Sequence, residues 1–166
     1  MPNDFDILPY QRELAVAYAR RWAYGRNPAY YDFNDIGGDC TNFASQCIFA
    51  GALVMNFTPV YGWFYRSASD RTASWTGVEY LYNFLTTNEG AGPFAEEVPL
   101  DRLQQGDLVQ LGRETGDFYH SPVVVGFSGR EILVAAHTFD AYGRTLASYN
   151  APVVRGLHIL GVRKPR

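Results

Sequence analysis

A chain of 166 residues is long enough for one domain with a full hydrophobic core, and 47% hydrophobic against 19% charged residues excludes a disordered chain. A formal net charge of -3 leaves no basic footprint, which argues against nucleic acid or an anionic membrane surface as partner. Two cysteines are too few for a disulfide scaffold or a cysteine-rich zinc site, and no apolar run is long enough to span a bilayer.

In chain order, Asp6 is placed to cap a first helix and Pro9 to open it, with Leu14, Ala17, Tyr18, Arg21 and Trp22 on one side and Gly25 as its stop. The alanine-rich stretch from Ala15 to Ala19 suits close packing on the next helix. Residues 26–38 read as a loop. It leads straight into Gly37-Gly38-Asp39-Cys40-Thr41-Asn42-Phe43-Ala44-Ser45-Gln46, so its hydroxyl and amide donors Tyr30, Tyr31 and Asn34 pass beside Cys40. Asp39 is the expected N-cap of a helix that buries Phe43, Ala44, Cys47 and Ile48 and ends near Ala50-Gly51. Cys40 then lies in the first turn, where the helix dipole and free N–H groups favour thiolate, while the Asp39 carboxylate opposes it. A bridge to Cys47 is excluded, because seven residues of helix separate the two by roughly 10 Å.

Residues 51–73 read as an irregular covering loop with the aromatic cluster Tyr61, Trp63, Phe64 and Tyr65. A further helix is expected from Ser74, with Thr76 and Glu79 as a capping box, a stripe of Val78, Leu81, Tyr82 and Leu85, and an end at Gly90 to Pro93. After Pro99 the pattern turns to strands: Asp107 to Leu111, then His120 to Phe127 and Arg130 to His137 as a hairpin about Ser128-Gly129, and finally Arg155 to Val162. Helices followed by strands is the order of an α+β domain, helical over about 6–98 and sheet over about 104–164, with no linker dividing residues 1–166.

A cysteine at a helix start becomes a catalytic candidate when a histidine stands beside it, since imidazole takes the thiol proton and later protonates the leaving amine. His120 opens one hairpin strand and His137 closes the other, whereas His158, inside the last strand, reads as structural. With Ser128-Gly129 as a two-residue turn, counting back pairs Val125 with Ile132, Val123 with Val134, and His120 with His137 on one face. That register makes His137 the residue expected to orient His120. Asp140 is the alternative third member, since a carboxylate stabilises an imidazolium better. Pro122 suggests that the first hairpin strand is bulged or unpaired on one side.

Asp39-Cys40-Thr41-Asn42 resembles the Asp-Cys-Ser-Gly segment of the NlpC-like cell-wall endopeptidases, Gly106-Asp107-Leu108-Val109 their Gly-Asp-Leu strand, and His120 to Gly126 their histidine strand. The resemblance is closer to the related putative amidase domain family, in the run Asp39 to Gln46, in Ser74-Trp75-Thr76 and in His137 to Asp140. It covers most of the chain. The resemblance implies a papain-like, CHAP-like single domain and a cysteine amidase or peptidase, with Cys40 as nucleophile, His120 as base, and no cofactor or metal. The expected substrate is a peptide or peptidoglycan fragment, contacted by Tyr30, Tyr31, Asn34, Asp39 and Trp75. No glutamine lies shortly upstream of Cys40 to donate to an oxyanion, so the second donor is left among Asn34, Tyr30 and Tyr31. No basic start followed by an apolar segment reads as a signal peptide, which leaves the location between cell wall and cytoplasm. Oligomeric state is not written in the sequence. Three other readings share these residues: an acyltransferase on the same pair, a zinc site of Cys40, His120, His137 and Asp140, and a binding domain using the loop from Tyr61 to Tyr65.

Overall fold

A computed structural model describes residues 4–166. The chain opens with strand β1 (Phe5–Leu8), helix α1 (Arg12–Trp22) and helix α2 (Cys40–Ala52). A small ribbon follows, β2 (Tyr65–Ser67) with β3 (Asp70–Arg71), then the one-turn α3 (Ala73–Thr76) and α4 (Val78–Thr87). The remainder is strand: β4 (Gly92–Val98), β5 (Leu108–Gly112), β6 (Phe118–His120), β7 (Val123–Ser128), β8 (Glu131–Ala136), β9 (Ala141–Thr145) and β10 (Val153–Pro165). The main sheet has eight strands among the described residues, in the order β1-β10-β5-β7-β8-β9, with β4 also on β10 and β6 also on β5, and every pairing is antiparallel. The fold is therefore mixed α+β, but helix and strand are less segregated than the sequence suggests: β1 and β4 fall in its helical part.

The sheet has two buried faces. Leu108, Val123, Val125, Ala135, Leu157 and Ile159 point to the helices, where they meet Phe43, Cys47 and Ile48 of α2 and Ala15 and Ala19 of α1. On the other side Val109, Leu111, Val124, Ile132 and Val134 form a smaller cluster with Leu103 and Leu146, covered by single turns at Leu100–Arg102 and Leu146–Tyr149. Helix α2 is buried without interruption from Thr41 to Ile48, which explains why its sequence is polar only where a partner waits. Ala15 and Ala19 of α1 are buried in one cluster with Phe43, Cys47 and Ile48 of α2, and the segment just before α1 approaches the end of α2 closely. A Cβ added to Gly51 would stand 2.6 Å from the Tyr10 ring and 2.7 Å from the Gln11 carbonyl.

Several expected details differ. Asp6 caps no helix, because residues 5–8 pair with the end of β10 and α1 starts at Arg12 with Ala15, Ala19 and Ala23 as its buried line and Leu14 exposed. Thr76 belongs to α3, so Gly77 is the N-cap of α4 and the Thr76–Glu79 box does not form. Trp63, Phe64 and Tyr65 are core rather than cover, while Tyr61 is exposed. The hairpin turns at Gly129-Arg130, with Ser128 opposite Glu131, Phe127 opposite Ile132 and, after a bulge, Val123 opposite Ala135. A one-residue shift of the turn and a bulge remove the expected pairing of His120 with His137. Instead β6 pairs with β5, Leu111 opposite His120 and Gly112 opposite Phe118, and a break at Ser121-Pro122 separates it from β7. The expectation of an irregularity at Pro122 agrees with that break.

Candidate active site

Cys40 is the first residue of α2, and Gly37 and Gly38, at φ of 81° and 96°, turn the chain into it. Asp39 precedes the helix, but its carboxylate makes no cap bond. It accepts instead from the Phe33 N–H (2.9 Å), Asn42 Nδ2 (2.8 Å) and His137 Nδ1 (2.5 Å). Burial pushes its acidity toward the neutral acid, yet these three bonds outweigh burial and hold the Asp39 carboxyl below the ordinary value. The carboxylate is 1% exposed and fully engaged, so Asp39 is not in a position to contact a substrate.

His137 lies with Asp39 rather than with His120. Its ring stacks on Phe43 at 4.0 Å between centroids, and its Nε2 is 2.8 Å from the Trp22 carbonyl with Arg26 Nη1 at 3.2 Å. Both ring nitrogens are thus occupied. Asp140 forms a two-pronged pair with Arg26 at 3.0 and 3.1 Å, and Arg26 Nε is 3.3 Å from Asp32. Arg26, at the start of the 26–38 loop, was not singled out by the sequence, where one arginine at a loop start carries no signal. The result is a network that ties the loop, the residue before Cys40 and the β8–β9 turn into one support.

The sulfur of Cys40 is half-buried, 3.7 Å from Thr41 Oγ1 and 3.9 Å from the Tyr119 carbonyl. Burial pushes the thiol up, the Thr41 hydroxyl and the N–H groups of Ser121 and Thr41 pull it down, and the Asp39 charge raises it again, with a net shift upward. This runs against the expectation of a dipole-stabilised thiolate: burial together with the Asp39 charge outweighs the hydrogen bonds that favour the anion. Ser121 faces the helices, with its Oγ 3.3 Å from Thr41 Oγ1 and 3.2 Å from Gln110 Nε2.

His120 is the neighbour of both Tyr119 and Ser121, but its ring faces the other side of the sheet. It shares the face of its partner Leu111, 5.6 Å from the Tyr149 ring between centroids. Burial first and the Arg144 charge second lower its pKa from 6.5 to about 4, so the imidazole is neutral at physiological pH. The extra residue that makes the difference is Tyr119. One step on β5, from Leu111 to Gly112, is matched by two on β6, from His120 to Phe118. Among the described residues, no hydrogen bond joins Cys40 to His120, and no three His, Cys, Asp or Glu side chains are grouped to hold a metal. The four residues of the zinc reading are dispersed over three separate environments.

Of the expected substrate contacts, Trp75 is core: it is 0% exposed and its indole N–H donates to Asn42 Oδ1 at 3.0 Å. Tyr30 is half-buried and stacks on Trp75 at 6.0 Å between centroids. Tyr31 and Asn34 are exposed on the loop that precedes Cys40, and the Tyr31 carbonyl accepts from Asn42 Nδ2 at 2.9 Å.

Against known proteins, residues 9–158 match the family described as "Putative amidase domain". A relative in Bacillus subtilis (strain 168), named "Uncharacterized protein YhbB", is 37% identical over 137 residues, which is 80% of this chain and 42% of that protein. The chain thus matches less than half the length of that relative. No solved structure matches.

Proposed function

The chain belongs to the putative amidase domain family, and from that premise we propose that it hydrolyses amides by cysteine chemistry, as a papain-like enzyme related to the NlpC-like endopeptidases. The observation that carries the reading is the seat of Cys40: its sulfur lies at a helix start and is 3.9 Å from the carbonyl of Tyr119, the residue before His120. In this reading Cys40 attacks the carbonyl carbon of an amide in a peptide or peptidoglycan fragment. His120, neutral at physiological pH, takes the thiol proton and passes it to the departing amine. The thioester that forms is then cleaved by water.

A buried thiol needs its base close, so His120 must turn to the helix face. Because side chains alternate along a strand, moving the bulge from Tyr119 to the C-terminal side of His120 exchanges the faces of residues 119 and 120. His137 and Asp140 keep Asp39 and Arg26 in place and are positioning residues for the nucleophile, not partners of the base.

The test is turnover of a panel of amide and peptidoglycan-fragment substrates by wild type, Cys40→Ala and His120→Ala, each shown to be folded by circular dichroism. Both variants should lose at least about a thousandfold in rate, and iodoacetamide should label Cys40 in preference to the fully buried Cys47. Full activity in Cys40→Ala would overturn the reading.

A further inference from the structure

The turn between β8 and β9 is built at a conformational cost that its own packing does not explain. Ala136 and Ala141 are the last paired residues, and Thr138 and Phe139 between them have φ of 61° and 60°. Two consecutive left-handed residues are the domain of Gly and Asn; a β-branched residue and a bulky aromatic there are outliers of the kind that collect at functional sites.

Three of the four turn residues have evident partners. His137 meets Asp39, Thr138 Oγ1 accepts the Asp39 N–H at 3.2 Å, and Asp140 holds Arg26. All three contacts anchor the turn to the residue before the nucleophile or to the arginine beside it. Among the described residues Phe139 has no such contact and, at 88% exposed, is the most exposed of the large apolar side chains.

A second exposed apolar side chain stands on the other loop that bonds Asp39. Phe33 donates its N–H to the Asp39 carboxylate, and the turn it begins carries Ile36, 62% exposed, with the Ile36 and Gly38 N–H groups bonded to the Phe33 carbonyl at 2.8 and 3.1 Å. Two loops, both hydrogen-bonded to the residue next to Cys40, therefore each hold a large apolar group out in water. Isolated exposed apolar residues are ordinary, but a strained turn clamped by three polar partners is not needed to leave one there.

We propose that Phe139, with Ile36, is a specificity-determining contact for an apolar side chain of the substrate next to the scissile amide. The proposal rests on Cys40 as the reacting atom, and deepens the amidase reading by naming the class of substrate: amides flanked by an aromatic or branched aliphatic group rather than by a charged one. The benefit comes from covering the Phe139 ring and the substrate group together, which requires a ring already fixed in place.

Alkylation of Cys40 tests this without turnover. Second-order rates are measured for iodoacetamide and N-benzyl-iodoacetamide, with the modified peptide mapped by mass spectrometry, in wild type, Phe139→Ala and Phe139→Gly. Wild type should prefer the benzyl reagent by about tenfold, and both variants should lose most of that preference. The ratio of the two rates is read within each variant, so a general change in Cys40 reactivity cancels. Phe139→Gly should also melt at a higher temperature than Phe139→Ala, since only glycine adopts φ near 60° freely. Equal rates for the two reagents in wild type, or a preference that survives in Phe139→Ala, would overturn the proposal. A full benzyl preference in a protein that turns over no amide would overturn the amidase reading, and with it the amide as the group acted on, while the apolar contact beside Cys40 is kept or lost by the alkylation rates alone.

Discussion

Acidification should loosen this protein through His120 at pH values where its carboxylates are still ionised. The ring is 6% exposed, and its folded pKa is about 4 against the ordinary 6.5. Above 6.5 the ring is neutral in both states and costs nothing. As pH falls the unfolded chain takes a proton that the folded chain refuses, so stability is lost progressively between 6.5 and 4, and the loss levels off below that. The full difference corresponds to about 3 kcal/mol, and about 2 kcal/mol is gone by pH 5. Urea unfolding at pH 7 and pH 5 measures it, with His120→Phe as reference because a phenyl ring suits the same contact with Tyr149 and does not titrate. Wild type should lose about 2 kcal/mol more than the variant over that interval. An equal loss in the two proteins, or an NMR titration midpoint of 6 or higher for the His120 ring, would refute the reasoning.

Asp107→Ala should destabilise the fold by about 3 kcal/mol or more, because this 0% exposed carboxylate accepts from Arg12 (2.7 Å), the Gln104 N–H (2.8 Å), His158 (2.8 Å) and the Ile159 N–H (2.9 Å). Denaturant titration checks it, and a loss under 1 kcal/mol would contradict it. Gly51→Ala should cost about 1–3 kcal/mol by overpacking, since its Cβ would meet the Gln11 carbonyl at 2.7 Å; an unchanged melting temperature would mean that α1 and α2 separate easily.

Much of this arrangement is legible in the sequence where it depends on local pattern. The stretch Phe43-Ala44-Cys47-Ile48-Gly51 announces a buried helix, and Gly38 before Cys40 announces its start. The alternation in Leu108-Val109-Gln110-Leu111 gives β5, and His158, which reads as structural, donates from Nδ1 to the buried Asp107 carboxylate at 2.8 Å. What fails is non-local. Asp39 has the chemistry of an N-cap, yet the Phe33 N–H, the Asn42 amide and His137 compete for its oxygens and win. Trp75 lies in a Ser-Trp-Thr run that resembles a motif, yet its indole fills the core beneath Asn42. The register of β7 and β8 depends on which two of Ser128, Gly129 and Arg130 form the turn and on a bulge, and neither alters the hydrophobic pattern enough to be read. The Phe5–Leu8 strand is invisible because its partner, the end of β10, is about 155 residues away along the chain, a separation over which no periodicity operates.

Around Cys40 the two sides differ in how firmly they are held. On the Asp39 side every polar atom of the carboxylate, the His137 ring and the Asn42 amide has a partner, so no nitrogen is free to receive a proton from the sulfur. On the other side stands β6, three residues long, held to β5 by two residue pairs, preceded by the exposed residues 113–117 and followed by Pro122, which has no N–H to anchor. Short strands with few bonds open at low cost, and such segments are where functional rearrangements concentrate. In the proposed mechanism the thiol proton leaves toward a neutral base, and His120, whose neighbour Tyr119 has its carbonyl 3.9 Å from the sulfur, lies on the loosely held strand. The firm side therefore fixes where the sulfur stands, and the proposed change of register in β6 decides when it is activated.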